Sequence, residues 1–105
     1  MKYSLLCLSL IFFLPSHAQT TVAVNNLSLP VGLAVNNNDL YICQFGAGTI
    51  SKIDLSQPIP IMASTTTDFV TGLTSPTRML LIGQEIYFSE LQNGKISKID
   101  LSVSP

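Results

Sequence analysis

Seven residues of this chain recur letter for letter. Ile50-Ser51-Lys52-Ile53-Asp54-Leu55-Ser56 returns as Ile96-Ser97-Lys98-Ile99-Asp100-Leu101-Ser102, 46 positions later. The same offset carries Pro30 onto Pro76, Tyr41 onto Tyr87 and Gly48 onto Gly94 without a gap. Positions that differ mostly exchange like for like: Leu33/Met79, Asp39/Glu85, Leu40/Ile86, Ile42/Phe88 and Gln44/Glu90. One register held across so many apolar positions means that a single structural unit is present twice.

Each copy divides into short strand-like runs separated by turn residues. Val31–Val35 is the first, and Asn36-Asn37-Asn38-Asp39 after it favours a tight turn through side-chain bonds to the backbone. Leu40–Phe45 is nearly continuous apolar, as expected of a strand covered on both faces. Gly46-Ala47-Gly48 turns the chain, and Gln92-Asn93-Gly94 does so in the second copy. Asn-Gly is a strong hairpin signal, because both residues tolerate positive φ. Thr49–Leu55 is the third strand, and Ile61–Phe69, with its Ser/Thr run, a more polar fourth.

Four antiparallel strands about every 40 to 50 residues, with no helical pattern between them, predict an all-β chain of β-propeller blades. The expected division is residues 19–29 as the outer strand of a preceding blade, 30–75 as one blade and 76–105 as a partial second blade. Thr21–Val24 stands where the fourth strand stands before the second copy. A blade buries both faces against neighbours, so two blades leave apolar faces to be covered by further blades or by self-association. The chain is then a truncated piece of a larger binding propeller or a subunit that completes a ring by oligomerising. Three copies would supply six blades.

The first 18 residues read as a secretory leader. Lys2 precedes an apolar run from Leu5 to Leu14, Pro15 breaks it, and Ser16 and Ala18 flank a cleavage point before Gln19. The run is too short to span a bilayer, so a secreted or periplasmic product with no membrane segment is expected. Beyond the leader, Lys52, Arg78, Lys95 and Lys98 stand against Asp39, Asp54, Asp68, Glu85, Glu90 and Asp100. That mildly acidic balance argues against nucleic acid as a partner. Cys43 then has no internal disulfide partner, and its apolar strand predicts a buried thiol.

The pattern of Pro30 or Pro76, then Leu40-Tyr41-Ile42 or Ile86-Tyr87-Phe88, then Gly48 or Gly94 followed by Ile-Ser-Lys-Ile-Asp, resembles the NHL repeat. It is also similar to blades of the regucalcin and gluconolactonase-like propellers, which share the six-bladed TolB-like architecture. NHL blades commonly carry Asp after the Tyr-led strand, where this chain has Gln44 and Glu90. The resemblance implies a surface on the ring's loops that binds a ligand or partner, with lactone hydrolysis in some members.

The expectation for function is a non-catalytic exported propeller segment without a cofactor or metal; the alternative is a fragment of a gluconolactonase-like lactone hydrolase. That branch holds a divalent metal with Glu, Asn and Asp from several blades, and its acidic N-terminal motif has no match here. The only histidine, His17, belongs to the leader, which removes imidazole-based nucleophilic pairs. Asp54 and Asp100 read as strand-end residues, and Asn26-Leu27-Ser28 fits a glycosylation sequon. No catalytic residue is assigned. Arg78, which replaces Gly32 of the first copy, and Glu90, near the end of the next strand, are the ligand-facing candidates.

Overall fold

The computed structural model describes residues 18–62 and 67–103. The expected leader, apart from Ala18, lies outside the described residues with its Cys7 and His17, and so do positions 63–66 of the Ser/Thr run and 104–105. The described chain is all-β without a helix. Its strands are β1 (Val24–Asn25), β2 (Pro30–Asn36), β3 (Asp39–Gln44), β4 (Thr49–Asp54), β5 (Ile61–Met62), β6 (Thr67–Val70), β7 (Pro76–Ile82), β8 (Glu85–Glu90) and β9 (Lys95–Asp100).

Two antiparallel sheets carry the repeat. The first has the order β2-β3-β4-β6 and the second β7-β8-β9. Their registers superimpose at the 46-residue offset: Pro30↔Gln44 and Leu33↔Ile42 in one, Pro76↔Glu90 and Met79↔Phe88 in the other, each with a bulge between the two pairs. The irregular backbone repeats as well. The described residues with positive φ are Asn26, Leu29, Asn37, Gly48, Gly72, Ser75, Gly83 and Gly94, and they form four pairs 46 apart: 26/72, 29/75, 37/83 and 48/94. Only two of the first residues in those pairs are ones that sequence reasoning places at a turn, so the backbone repeats more faithfully than the side chains.

The recurring Asp-Leu-Ser segment ends the third strand of each sheet. Asp54 Oδ1 accepts the Ser56 N–H at 2.9 Å and its hydroxyl at 2.7 Å; Asp100 does the same with Ser102 at 2.9 and 2.6 Å. These hydrogen bonds, hydroxyl first, hold both carboxyls below the ordinary carboxylate range. The two aspartates therefore shape turns, as their strand-end positions imply.

One expected strand is divided. The two described ends of Ile61–Phe69 have different partners: Thr67–Val70 pairs with β4, whereas Ile61–Met62 pairs in parallel with Val24–Asn25. Pro58 and Pro60 remove two backbone donors just before Ile61, which prevents an extended ladder there. The stretch 19–29, expected as an outer strand, contributes only Val24–Asn25 as strand, in that parallel pair.

Each face of the first sheet meets something different. Tyr41, Cys43 and Ile50 point towards the second sheet and form one core with its Ile86 and Phe88. We call this the trailing face of the first sheet, and Ile86 and Phe88 lie on the leading face of the second. On the opposite, leading face of the first sheet, Ile42 and Ile53 are buried beneath Ile61, Val24 and Leu27. The β1–β5 pair thus caps the middle of that face, while Val31, Leu33 and Val35 along the edge strand β2 stay at least half exposed.

Candidate binding face of the second sheet

The 46-residue offset converts the core of the first sheet into a statement about the second. Tyr41, Cys43 and Ile50 correspond to Tyr87, Ser89 and Ile96, which lie on the trailing face of the second sheet. There, nothing in the described chain covers them. Ile50 is 0% exposed and its counterpart Ile96 is 72% exposed. Leu80 and Ile82 on β7 are open as well, at 61% and 56%. Together with Arg78, Tyr87, Ser89 and Ile96, Leu80 surrounds a shallow depression of about 340 Å³. The apolar centre has a charged margin: Lys98 Nζ pairs with Glu85 at 2.8 Å, and the Tyr87 hydroxyl donates to Glu85 at 3.2 Å. The Glu85 carboxylate, through its hydrogen bond and its charge, raises the Lys98 pKa.

Arg78 borders this depression and a second one of about 370 Å³, where β2 and β7 run side by side and Val31, Gly32, Leu33 and Met79 complete the lining. Its backbone N–H donates to the Ser89 hydroxyl at 3.2 Å, and the same hydroxyl meets Thr77 Oγ1 at 2.7 Å, which stitches the bulge of β7 to β8. Gly32, the counterpart of Arg78, has no room for a side chain: a Cβ there would run into the backbone of Thr77 and Arg78. Glycine is what lets β2 and β7 approach closely.

Glu90 is placed otherwise. It lies on the leading face with Ile86 and Phe88, opposite to Arg78, and is 5% exposed. Its Oε1 accepts the Thr74 N–H at 3.1 Å, its Oε2 accepts the Ser97 hydroxyl at 3.1 Å, and Lys95 Nζ stands 3.9 Å away. The Thr74 N–H is the foremost cause of a pKa held below the usual value, despite desolvation, with Ser97 and Lys95 adding to it. The structure therefore does not bring the two sequence candidates together. Arg78 is accessible at a face and an edge, whereas Glu90 is engaged within the sheet.

Glu90 belongs to a repeated polar lock that sequence reasoning did not find. In the first sheet Gln44 Oε1 accepts the Ser28 N–H at 2.8 Å, Gln44 Nε2 donates to Ser51 Oγ at 2.6 Å, and Ser51 donates to Asp68 at 3.0 Å. Ser28/Thr74, Gln44/Glu90 and Ser51/Ser97 are all 46 apart. Each lock uses one hydroxyl proton and one carboxylate. Where β6 supplies the carboxylate from Asp68, the second strand carries an amide; in the second sheet, where the described residues include no such strand, Glu90 is itself the carboxylate. The signal was available, because Gln44/Glu90 is an exchange of charge type beside an invariant serine.

Cys43 is fully buried between the sheets, and desolvation pushes its thiol up to about 11. Among the described residues no three His, Cys, Asp or Glu side chains converge as a set that could hold a metal ion, and no helix is long and apolar enough to cross a membrane. The chain matches no family model and no curated protein.

Proposed function

We propose that the chain is a non-catalytic, exported two-blade segment of a β-propeller, with the second sheet's trailing face built to receive another blade. The observation that carries this reading is the contrast between equivalent residues: Tyr41, Cys43 and Ile50 are core because a sheet lies on them, while Tyr87, Ser89 and Ile96 present the same surface with no sheet on it. An apolar centre with a polar margin is the usual anatomy of a surface that associates. The likeness of the Pro–Tyr–Gly–Ile-Ser-Lys-Ile-Asp pattern to NHL and TolB-like blades supports the architecture, and the leader-like residues 1–18 support export. Arg78 is the residue through which a ligand would be met at the inner edge; Glu90 is a fastening of the sheet.

The test is a tandem fusion of two copies, joined so that the 46-residue spacing continues across the junction. Blade stacking predicts that Leu80, Ile82 and Ile96 of the first copy lose accessibility to hydroxyl-radical labelling in the fusion. It also predicts one cooperative unfolding transition with a larger urea m value. Unchanged labelling, with two independent transitions, would refute the reading.

A further inference from the structure

We infer that a second copy of this chain is the occupant of the open side of the second sheet, and that its Thr21–Val24 segment adds there as a fourth strand along β9. The inference rests on the blade reading and deepens it by naming the partner. Three independent features support it.

The first is the missing strand. Among the described residues β6, which completes the first sheet beyond β4, has no counterpart beyond β9, which leaves β9 an edge strand there. The segment that corresponds to Thr67–Val70 by the repeat is Thr21–Val24. Transferring the observed register, Ile50↔Val70, Ser51↔Asp68 and Lys52↔Thr67, places Ile96 opposite Val24, Ser97 opposite Val22 and Lys98 opposite Thr21 of the incoming copy.

The second is the backbone that follows. Residues 72–75 carry the chain from β6 into the second sheet with positive φ at Gly72 (72°) and Ser75 (50°). Asn26 (63°) and Leu29 (48°) take similar positive values at the equivalent places, although the strand before them, Val24–Asn25, pairs only with Ile61–Met62 and not with a repeat sheet. The N-terminal segment already holds the conformation of a connection leading out of an outer strand.

The third is the carboxylate count. Asp68 of β6 makes the lock of the first sheet with Gln44 and Ser51. The residue of an incoming copy that corresponds to Asp68 is Val22, which carries no charge, and the second sheet has Glu90 where the first has Gln44. Each sheet thus ends with one carboxylate at its serine once Thr21–Val24 is added. An aspartate at position 22 would set two carboxylates on one hydroxyl, which buried like charges do not tolerate.

In this arrangement Val31, Leu33 and Val35, exposed on the leading side of β2, face Leu80 and Ile82, exposed on the trailing side of β7. The two surfaces differ, so the contact is head-to-tail and propagates until a ring closes or a filament grows. Val22 is 55% exposed, so substituting it leaves the fold of the single chain intact.

Sedimentation equilibrium on the purified exported chain tests the inference. The wild type is expected to associate reversibly. Val22→Asp weakens that association by at least about tenfold, and adding Glu90→Gln to Val22→Asp restores it to within about threefold, because the pair recreates Gln44 and Asp68. Leu33→Glu and Leu80→Glu each block assembly alone, yet an equimolar mixture of the two yields a dimer and nothing larger, since one intact seam remains. A wild-type monomer at every concentration, association indifferent to Val22→Asp, or no rescue by Glu90→Gln would overturn the inference. If the free chain stays monomeric while the tandem fusion stacks, only the second copy is wrong; if the fusion fails too, the blade reading falls with it.

Discussion

Ile50 and Ile96 are the same residue of the same repeat in two environments, and the difference between them has a calculable consequence. Truncating Ile50 to Ala removes three side-chain carbons from a site with no solvent exposure, packed among Tyr41, Cys43, Ile86 and Phe88. At about 0.8 kcal/mol per buried methylene the transfer term is roughly 2.4 kcal/mol, and the residual cavity brings the cost to about 2–5 kcal/mol. Ile96→Ala deletes the same atoms from a residue that is 72% exposed, so its cost in the single chain is within about 0.5 kcal/mol. Because a chain this small has only about 5 kcal/mol of stability to lose, the milder Ile50→Val, at about 0.5–1.5 kcal/mol, keeps the comparison measurable if Ile50→Ala does not fold.

The assay is urea unfolding followed by far-ultraviolet circular dichroism at low micromolar protein, with the m value held common. The reasoning requires Ile50→Ala to lose at least about 2 kcal/mol more than Ile96→Ala, a separation of roughly 8–16 °C in Tm. Equal losses for the two substitutions would mean that the second sheet does not bury Ile50, or that Ile96 is covered within one chain. Either result refutes the arrangement of the sheets.

Gly48 and Gly94 make a second internal control. Both have φ near 65°, but a Cβ on Gly48 would stand 2.6 Å from the Leu73 carbonyl oxygen while one on Gly94 meets nothing within 4 Å. Gly94→Ala therefore costs about 1–2 kcal/mol of left-handed strain and Gly48→Ala about 1–3 kcal/mol more, read from urea midpoints. The depressed Glu90 carboxyl gives stability that is present above the ordinary glutamate pKa and is lost as pH falls towards the lower folded-state value. Glu90→Gln keeps the acceptor for Thr74, as Gln44 does for Ser28, so the drop in urea midpoint between about pH 5 and pH 3 should be shallower in the variant; parallel acid limbs would disprove the assignment.

The three inner strands of each copy and the two hairpin turns were legible because they depend on local chemistry that the repeat states twice. Asn37 and Gly83, for example, share a left-handed turn between the same two strands. The burial of Cys43 was legible from the apolar run around it. What was not legible depends on which segments meet. Ile61 continues the alternation of Phe69 in sequence, but the prolines at 58 and 60 and the reach of Val24 and Leu27 draw it onto the leading face instead. Glu90 reads as a free carboxylate near a strand end. Only the position of the Thr74 N–H and the Ser97 hydroxyl, one from the connection and one from the neighbouring strand, turns it inwards.

Three departures from the repeat share one side of one strand. On the trailing side of β2 the residues are Gly32, Ala34 and Asn36; their counterparts on β7 are Arg78, Leu80 and Ile82. Small residues let β7 close directly upon β2, where Asn36 Nδ2 also reaches Gln84 Oε1 at 3.4 Å. Large ones on the trailing side of β7 would hold any neighbour further off and meet it with side chains instead of backbone. The two sides of the repeat are therefore not interchangeable: the joint between the sheets is fixed by backbone contact, whereas the trailing side of β7 offers large exposed side chains. Gly32→Ala should cost about 1–3 kcal/mol in the single chain, since the backbone of Thr77 and Arg78 cannot yield as a side chain would. Arg78→Ala, at the equivalent exposed position, should change monomer stability by less than about 0.5 kcal/mol. Urea midpoints that moved equally for both would mean that β2 and β7 are not in contact, and the distinction between the two sides would fail.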